Sequence, residues 1–263
     1  MQKILFTIAI FLCVNMASAN QQLHLGVASS FKPAAVELIN TFSQQTNSNI
    51  KLSSASSGKL FSQGLNGAPF DIILFADSKH SLLSEDMGVA TKASSFIYAS
   101  GEVALLTRGP QCLSPNSTLF DGVSLAIANP KIAPYGLAAK QVMRNQGLDQ
   151  IANLRLITAE NAAQTLHFFA TRNVDHAITS SALIQQWLTR NPAMQVSYCP
   201  FSADSYDAIV HQGVILQQSN NPQLATAFVN FILSKQGQAI INALGYQTVS
   251  EWVYFQQRFN RYL

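Results

Sequence analysis

The sequence contains few charged residues. Asp, Glu, Lys and Arg make up 11% of the 263 residues, less than half of the roughly 25% that is usual in soluble proteins. The formal net charge of +3 is too small and too dispersed for a nucleic-acid-binding surface. A hydrophobic content of 48% excludes an intrinsically disordered chain, because disorder requires low hydrophobicity. We therefore expect a folded protein that has no nucleic-acid partner and contacts its ligands through neutral hydrogen bonds and shape.

Long apolar runs are also missing after the N-terminus, where no segment approaches the about 20 residues of a membrane-spanning helix. At the N-terminus, Lys3 precedes a short apolar run at 4–14, and Ala17-Ser18-Ala19 forms a cleavage signal. These features predict a secretory signal peptide over residues 1–19. We expect an exported protein, which in a Gram-negative bacterium lies in the periplasm.

Cysteine is scarce, and Cys13 leaves with the predicted signal peptide. Cys112 and Cys199 then remain as a pair in an oxidising compartment, which favours a disulfide over two buried free thiols. Two cysteines alone offer too few ligands for a metal site. We predict a structural disulfide between them.

The motifs of several enzyme classes are absent. The sequence has no G-x-S-x-G, none of its five histidines falls in a metal-binding pair, and Gly58-Lys59 lacks the other residues of a P-loop. Tetrads beginning at Ser29 and Ser56 match S-x-x-K, the acyl-serine motif of penicillin-binding enzymes, but the accompanying S-D-N and K-T-G are missing. We predict a protein that is not an enzyme and needs no cofactor, with a serine acyl-enzyme as the less favoured alternative.

The sequence does contain a regular alternation of short apolar runs and helical patterns, which implies parallel sheets with right-handed crossovers. Strands are predicted at 23–28, 50–55, 70–76, 103–107, 124–129, 154–158, 174–179 and 207–216. Helices are predicted at 33–45, from 57 to about 64, from 136, at 160–172 and at 222–234.

The length of the mature chain suits two α/β lobes better than one. The strands at 103–107 and 207–216 follow irregular stretches, so we expect the chain to cross between lobes there. This assigns 20–102 and 208–263 to lobe I and 103–207 to lobe II. We predict two Rossmann-like lobes with mixed, mainly parallel sheets, joined by a two-strand hinge, with the ligand in the cleft between them.

An aromatic stripe stands at the C-terminus, where four aromatic residues recur at helical spacing. They are Trp252, Phe255, Phe259 and Tyr262. The favoured interpretation is a terminal helix that packs on lobe I. The alternative is an interaction surface for a permease or a second subunit.

Helix starts follow four of the predicted strands. Ser29-Ser30 and Ser56-Ser57-Gly58 precede helices in the first half, and Pro134-Tyr135-Gly136 and Glu160-Asn161-Ala162 open helices in the second. Open α/β sheets bind ligands at the carboxyl ends of their strands, and helix N-termini offer free N–H groups and a positive dipole end. One serine in such a place is more often a plain N-cap. The occurrence in both lobes predicts a donor cage for an anion.

These residues carry a resemblance to a known family. From about Leu23 to Tyr246, the chain resembles the periplasmic molybdate-binding proteins of ABC transporters. The matching segments are Ala28-Ser29-Ser30, Ala55-Ser56-Ser57-Gly58-Lys59-Leu60, Gly67-Ala68-Pro69-Phe70-Asp71 with Ala76-Asp77, Leu125-Ala126-Ile127-Ala128-Asn129-Pro130, Ala133-Pro134-Tyr135-Gly136, Glu160-Asn161-Ala162 and Gly245-Tyr246. The resemblance implies the type II periplasmic binding protein fold, whose two lobes close on molybdate or tungstate.

Carried over by position, the resemblance makes Ser30 and Ser57 hydroxyl and amide donors from lobe I. Tyr135 and Ala162 would contribute from lobe II, Ala162 through its backbone N–H. Some family members have a tyrosine near the position of Thr179 and a small residue at that of Tyr135. This chain has the reverse, so we expect Tyr135 to supply the phenolic donor and keep Thr179 as a further candidate contact. Molybdenum would be held only as molybdate, through these same residues.

The resemblance further implies a monomeric solute-binding protein that delivers molybdate or tungstate to an inner-membrane ABC permease and its ATPase. A cage of N–H and O–H donors without a carboxylate suits a fully deprotonated oxyanion, whereas protonated phosphate needs an acceptor. Binding of sulfate or phosphate stays an alternative, because a binding protein distinguishes tetrahedral oxyanions by the radius of its cavity, and the sequence does not show that radius. Lys32 and Lys59 follow the serines, and we expect both to point away from the cage.

Overall fold

Two five-stranded sheets form the framework of the structure, a computed structural model that describes residues 22–109, 112 and 120–248. The predicted signal peptide and the predicted aromatic helix at the C-terminus lie outside the described residues. None of the helices in the described part of the chain has the length and apolar character needed to cross a membrane.

The first sheet has the strand order β2-β1-β3-β10-β4, with strands numbered along the chain. Its strands are β1 (Gln22–Ala28), β2 (Asn49–Ala55), β3 (Ile72–Phe75), β4 (Phe96–Gly101) and β10 (Ile209–Ile215). Its helices are α1 (Lys32–Thr46), α2 (Ser57–Leu65), α3 (Ser78–Asp86), α7 (Pro222–Leu233) and α8 (Lys235–Ala243). We refer to this sheet and its helices as lobe I.

The second sheet repeats the arrangement with the order β7-β6-β8-β5-β9. Its strands are β5 (Val103–Arg108), β6 (Ser124–Ala128), β7 (Arg155–Ala159), β8 (His176–Ser180) and β9 (Val196–Pro200). Its helices are α4 (Pro134–Asn145), α5 (Ala162–Ala170) and α6 (Ser181–Arg190), with short 3₁₀ turns at Leu148–Gln150 and Ala203–Ser205. This sheet and its helices form lobe II.

Each sheet is mixed but mainly parallel, because one strand in each runs against the other four. β10 pairs antiparallel with β3 and β4, and β5 pairs antiparallel with β8 and β9, while the remaining pairs are parallel. The α/β fold class predicted from the sequence is confirmed.

The chain passes between the sheets twice. Only Glu102 separates the end of β4 from the start of β5, and the return runs from Pro200 at the end of β9 to Ile209 at the start of β10. A disulfide between Cys112 and Cys199, with a Cα–Cα distance of 5.7 Å, ties the segment after β5 to β9.

Buried strands hold the loops of the site in register. β3 and β6 are buried along their whole length, as strands covered on both faces should be. Ala28 at the end of β1 pairs with Ala55 at the end of β2, and Ala128 pairs with Ala159 in the same way in lobe II. The segments that follow these strands therefore start side by side, and each leads into a helix.

Candidate anion-binding site

The N-termini of four helices, two from each lobe, surround one small cavity between the sheets. The helices are α1, α2, α4 and α5. The lining residues are Ala28, Ser29, Ser30, Ser56, Ser57, Ala76, Ala133, Pro134, Tyr135, Asn161 and Ala162. The cavity volume open to the centre of a water-sized sphere is about 10 Å³. In this conformation the cavity suits a compact ligand and excludes one the size of a sugar or a peptide.

Two serines at the start of α2 differ in how their hydroxyls are used. Ser57 is fully buried, and its Oγ accepts a hydrogen bond of 2.9 Å from the N–H of Ala76. A hydroxyl that accepts can still donate its proton, and the N–H of Ser57 belongs to the first helical turn, where no intrahelical acceptor exists. Ser57 is therefore a fixed residue with two donors available.

Ser56 occupies the N-cap position of α2 but makes no side-chain cap. Its Oγ is buried and has no hydrogen-bond partner among the described residues. Since a buried polar group without a partner costs free energy, this hydroxyl is a candidate ligand contact. Ser56 was not among the anion contacts predicted from the sequence, where a serine directly before a helix is usually an ordinary cap.

Ser30 lies in the tight connection between β1 and α1. The N–H of Ser29 donates to the carbonyl of Ala55 over 2.9 Å, and the N–H of Phe31 donates to the carbonyl of Ala28 over 2.8 Å. The Tyr246 hydroxyl donates to the carbonyl of Ser30 and helps to fix this connection. Ser30 is 2% exposed and lines the cavity.

In lobe II, the starts of α4 and α5 direct backbone donors at the cavity. Asn161 caps α5 by accepting a hydrogen bond of 3.0 Å from the N–H of Gln164. The cap leaves the N–H of Ala162, the first residue of the helix, without an intrahelical acceptor. Pro134 opens α4 without an N–H, which makes Tyr135 its first residue with a donor. Both Tyr135 and Ala162 line the cavity.

The Tyr135 side chain is buried beneath the cavity and reaches lobe I. Its Oη lies 3.2 Å from Nε2 of His211 on β10. Burial raises the pKa of Tyr135 well above its ordinary value, against the opposite effect of hydrogen bonds with Ser180 and Ser30. The phenol is therefore protonated at any physiological pH.

Thr179 is the one candidate contact that the structure does not bring to the cavity. It is fully buried on β8, and its hydroxyl donates to the carbonyl of Ala162 over 2.9 Å. The structure brings four of the predicted contacts together at the cavity: Ser30, Ser57, Tyr135 and Ala162. Thr179 instead holds the carbonyl of Ala162.

Two contacts connect the lobes at the mouth of the cavity. The N–H of Gly58 donates to the carbonyl of Ile132 over 2.9 Å, and Lys59 Nζ lies 3.0 Å from Glu160 Oε1. The ion pair is solvent-exposed, with side-chain exposures of 50% and 41%. Lys32 lines a separate groove between α1, α6 and α8. Lys59 is therefore engaged outside the cavity, and neither lysine is among its lining residues.

The site is electrically neutral apart from its dipoles. None of the described residues that line the cavity is charged. The described part of the chain also contains no group of three His, Cys, Asp or Glu residues that could hold a metal ion. Neutral N–H and O–H donors at helix N-termini can bind an anion without a charged side chain.

Comparisons with known proteins identify the family of the chain. The model of the family described as bacterial extracellular solute-binding protein matches residues 23–247. The chain belongs to this family. This solute-binding protein is 28% identical over 235 residues to the molybdate-binding protein ModA of Azotobacter vinelandii, covering 88% of this chain and 91% of that one. It is 26% identical over 249 residues to ModA of Rhodobacter capsulatus, with 92% and 94% covered.

A solved structure shows the same likeness in three dimensions. The periplasmic molybdate-binding protein of Azotobacter vinelandii matches this solute-binding protein with a TM-score of 0.77 and 31% identity, covering 85% of this chain and 98% of that one. The similarity spans both sheets and is not confined to one lobe.

Proposed function

We propose that this solute-binding protein captures molybdate or tungstate in the cavity between its lobes and delivers it to an ABC transporter. The observation that carries the proposal is the convergence of four helix N-termini on a cavity without a charged lining residue. A fully deprotonated tetrahedral oxyanion accepts hydrogen bonds at every oxygen, so a site made only of donors suits it. The similarity to proteins named as molybdate-binding supports this ligand over other oxyanions.

The proposed donors are the hydroxyl and amide groups of Ser30 and Ser57, the phenolic hydroxyl of Tyr135 and the backbone N–H of Ala162. Ser56 joins them because its buried hydroxyl has no other partner among the described residues. Thr179 acts through Ala162, whose carbonyl it holds.

The proposal includes the organisation of the chain. Residues 1–19 are a cleaved signal peptide, residues 20–102 and 208–263 form lobe I, and residues 103–207 form lobe II. The mature protein acts as a periplasmic monomer, and its partners are an inner-membrane permease and the attached ATPase. It performs no catalysis, so a β-lactam is expected to label neither Ser29 nor Ser56.

Titration calorimetry of the mature chain with molybdate, tungstate, sulfate and phosphate tests the proposal. We expect dissociation constants below about 1 µM for molybdate and tungstate, which corresponds to more than about 8 kcal/mol of binding free energy. Much weaker binding is expected for sulfate and phosphate. Absence of tight binding to both molybdate and tungstate would refute the proposed function, and preference for sulfate would reassign the ligand.

Alanine variants of the cavity serines test the residues. Ser30→Ala, Ser56→Ala and Ser57→Ala are each expected to weaken molybdate binding by about 1–3 kcal/mol, the usual contribution of a hydrogen bond to a charged group. Ser43→Ala is the matched control, because the Ser43 hydroxyl on α1 is also buried and has no hydrogen-bond partner in the described part of the chain, but is not at the cavity. An equal loss in the control would show that the effect is not local.

A further inference from the structure

We propose that His211 is a positioning residue for the anion site: its Nε2–H donates to the Tyr135 hydroxyl and thereby leaves the phenolic proton to be donated toward the cavity. His211 itself is not among the residues that line the cavity. The inference rests on the proposed function, since it assigns a role toward the same ligand.

The first step is the position of the imidazole. His211 lies on β10 in lobe I, is fully buried, and has Nε2 3.2 Å from Oη of Tyr135, which belongs to α4 in lobe II. Four aromatic rings surround it with centroid distances of 5.5 to 5.9 Å. They belong to Phe31, Tyr98, Tyr135 and Tyr246.

The second step is the tautomer. Nδ1 of His211 is buried and has no hydrogen-bond partner among the described residues. A proton on Nδ1 would leave an N–H donor orphaned, which is rarer in proteins than an unused acceptor. A proton on Nε2 is used in the bond to Tyr135, and the bond made by one ring nitrogen sets the state of the other. Burial also lowers the pKa of His211 to about 3, so the ring is neutral and carries one proton.

The third step is the direction of the Tyr135 proton. An Oη that accepts from His211 still has its own proton to donate to another acceptor. Tyr135 and Ser30 both line the cavity, so the phenolic proton is available there to the anion or to the Ser30 hydroxyl. Hydrogen bonds aligned in one direction polarise and strengthen one another.

The hydrogen bond between His211 and Tyr135 lies where the chain crosses between the lobes. A Cβ on Gly101, the last residue of β4, would lie 1.9 Å from the Tyr135 Oη. Only a residue without a side chain lets the phenol approach His211 here. The bond therefore joins the two lobes through a residue that lines the cavity.

The tautomer can be measured in the ligand-free protein. We expect the ¹⁵N NMR shifts of His211 to show a protonated Nε2 and an unprotonated Nδ1, with the signals assigned by their loss in His211→Gln. A proton found on Nδ1 would overturn the proposal whatever the protein binds.

Binding measurements then test the role toward the anion. His211→Phe keeps an aromatic ring without a donor, and we expect molybdate affinity to fall about threefold to tenfold, the value of one neutral hydrogen bond. His211→Gln retains an N–H donor and is expected to recover most of that loss. In a Tyr135→Phe background, His211→Phe should cause no further loss, because the acceptor is already gone.

The outcomes separate the two proposals. If the unmodified protein binds neither molybdate nor tungstate, the proposed function fails, while the tautomer still decides the hydrogen bond. Tight binding that is unchanged in His211→Phe would overturn the role of His211 alone. The same loss with and without the Tyr135 hydroxyl would also overturn it, because the effect would then come from packing.

Discussion

A single methyl group added at Gly58 should separate ligand affinity from protein stability. Gly58 is the second residue of α2 in lobe I and donates its N–H to the carbonyl of Ile132 in lobe II over 2.9 Å. A Cβ at this position would lie 3.1 Å from both Cα and Cβ of Ile132 and 3.2 Å from its carbonyl oxygen. Gly58→Ala therefore forces the two lobes apart by a few tenths of an ångström at the mouth of the cavity.

The magnitude follows from the contact. Overpacking of this kind costs about 1–3 kcal/mol, and the cost falls on the conformation in which the lobes touch. Because both lobes must reach the anion, that free energy is lost from binding, and affinity should fall about fivefold to 150-fold. In the helix itself, alanine is favoured over glycine by up to about 1 kcal/mol. The unfolding temperature of the ligand-free protein should therefore stay the same or rise.

Calorimetry with molybdate and thermal unfolding without ligand measure the two effects on one variant. Gly64→Ala is the control in the same helix, since its Cβ would meet Ile73, Val89 and Leu216, all on the lobe I side. It should alter stability and leave affinity unchanged. The reasoning is refuted if Gly58→Ala binds as tightly as the original chain, or if its affinity and unfolding temperature fall together.

Three further outcomes are expected. Replacing Cys112 and Cys199 by serine opens a bridge with a sequence separation of 87 and should lower the unfolding free energy by about 2–5 kcal/mol in denaturant titrations; no change would contradict a stabilising bridge. Lys59→Ala or Glu160→Ala breaks an exposed ion pair, so molybdate affinity should fall by less than about 1 kcal/mol and less still at high salt. Burial lowers the pKa of His211 to about 3 from 6.5. Between pH 3 and pH 6.5, His211 is therefore protonated in the unfolded chain and neutral in the folded chain. The contribution of His211 to the unfolding free energy is therefore complete above about pH 6.5. As the pH falls toward 3, this contribution is lost by up to about 1.4 kcal/mol per pH unit. Unfolding free energies measured across this range should fall less steeply in His211→Gln, and identical slopes would contradict the buried neutral imidazole.

Local pattern predicted most of the elements that frame the site. The apolar runs at 23–28 and 50–55 became β1 and β2, and the helix predicted at 33–45 is α1, from Lys32 to Thr46. β4, β9, α3, α6 and α8 were not predicted. β9 is an edge strand with intermediate burial and no clear alternation, so it is defined by its pairing with β5, a contact between distant parts of the chain.

The convergence of the helix starts could be predicted because parallel strands end at the same edge of a sheet. The hydrogen-bond partner of each serine hydroxyl could not be predicted. Ser56 and Ser57 are identical in sequence terms, and only the N–H of Ala76 distinguishes them. His211 was interpreted as one of several lone histidines, since its contact with Tyr135 spans 76 positions and both lobes.

The neutral lining of the cavity has a consequence for release. An anion that leaves a lysine or arginine leaves a buried cation behind, which must then be hydrated or, in the case of lysine, lose its proton. Departure from hydroxyls and amides leaves only dipoles, which water can satisfy as soon as the lobes part. Unloading at the membrane can therefore be purely mechanical, with no proton exchanged and no counter-ion needed to replace the cargo.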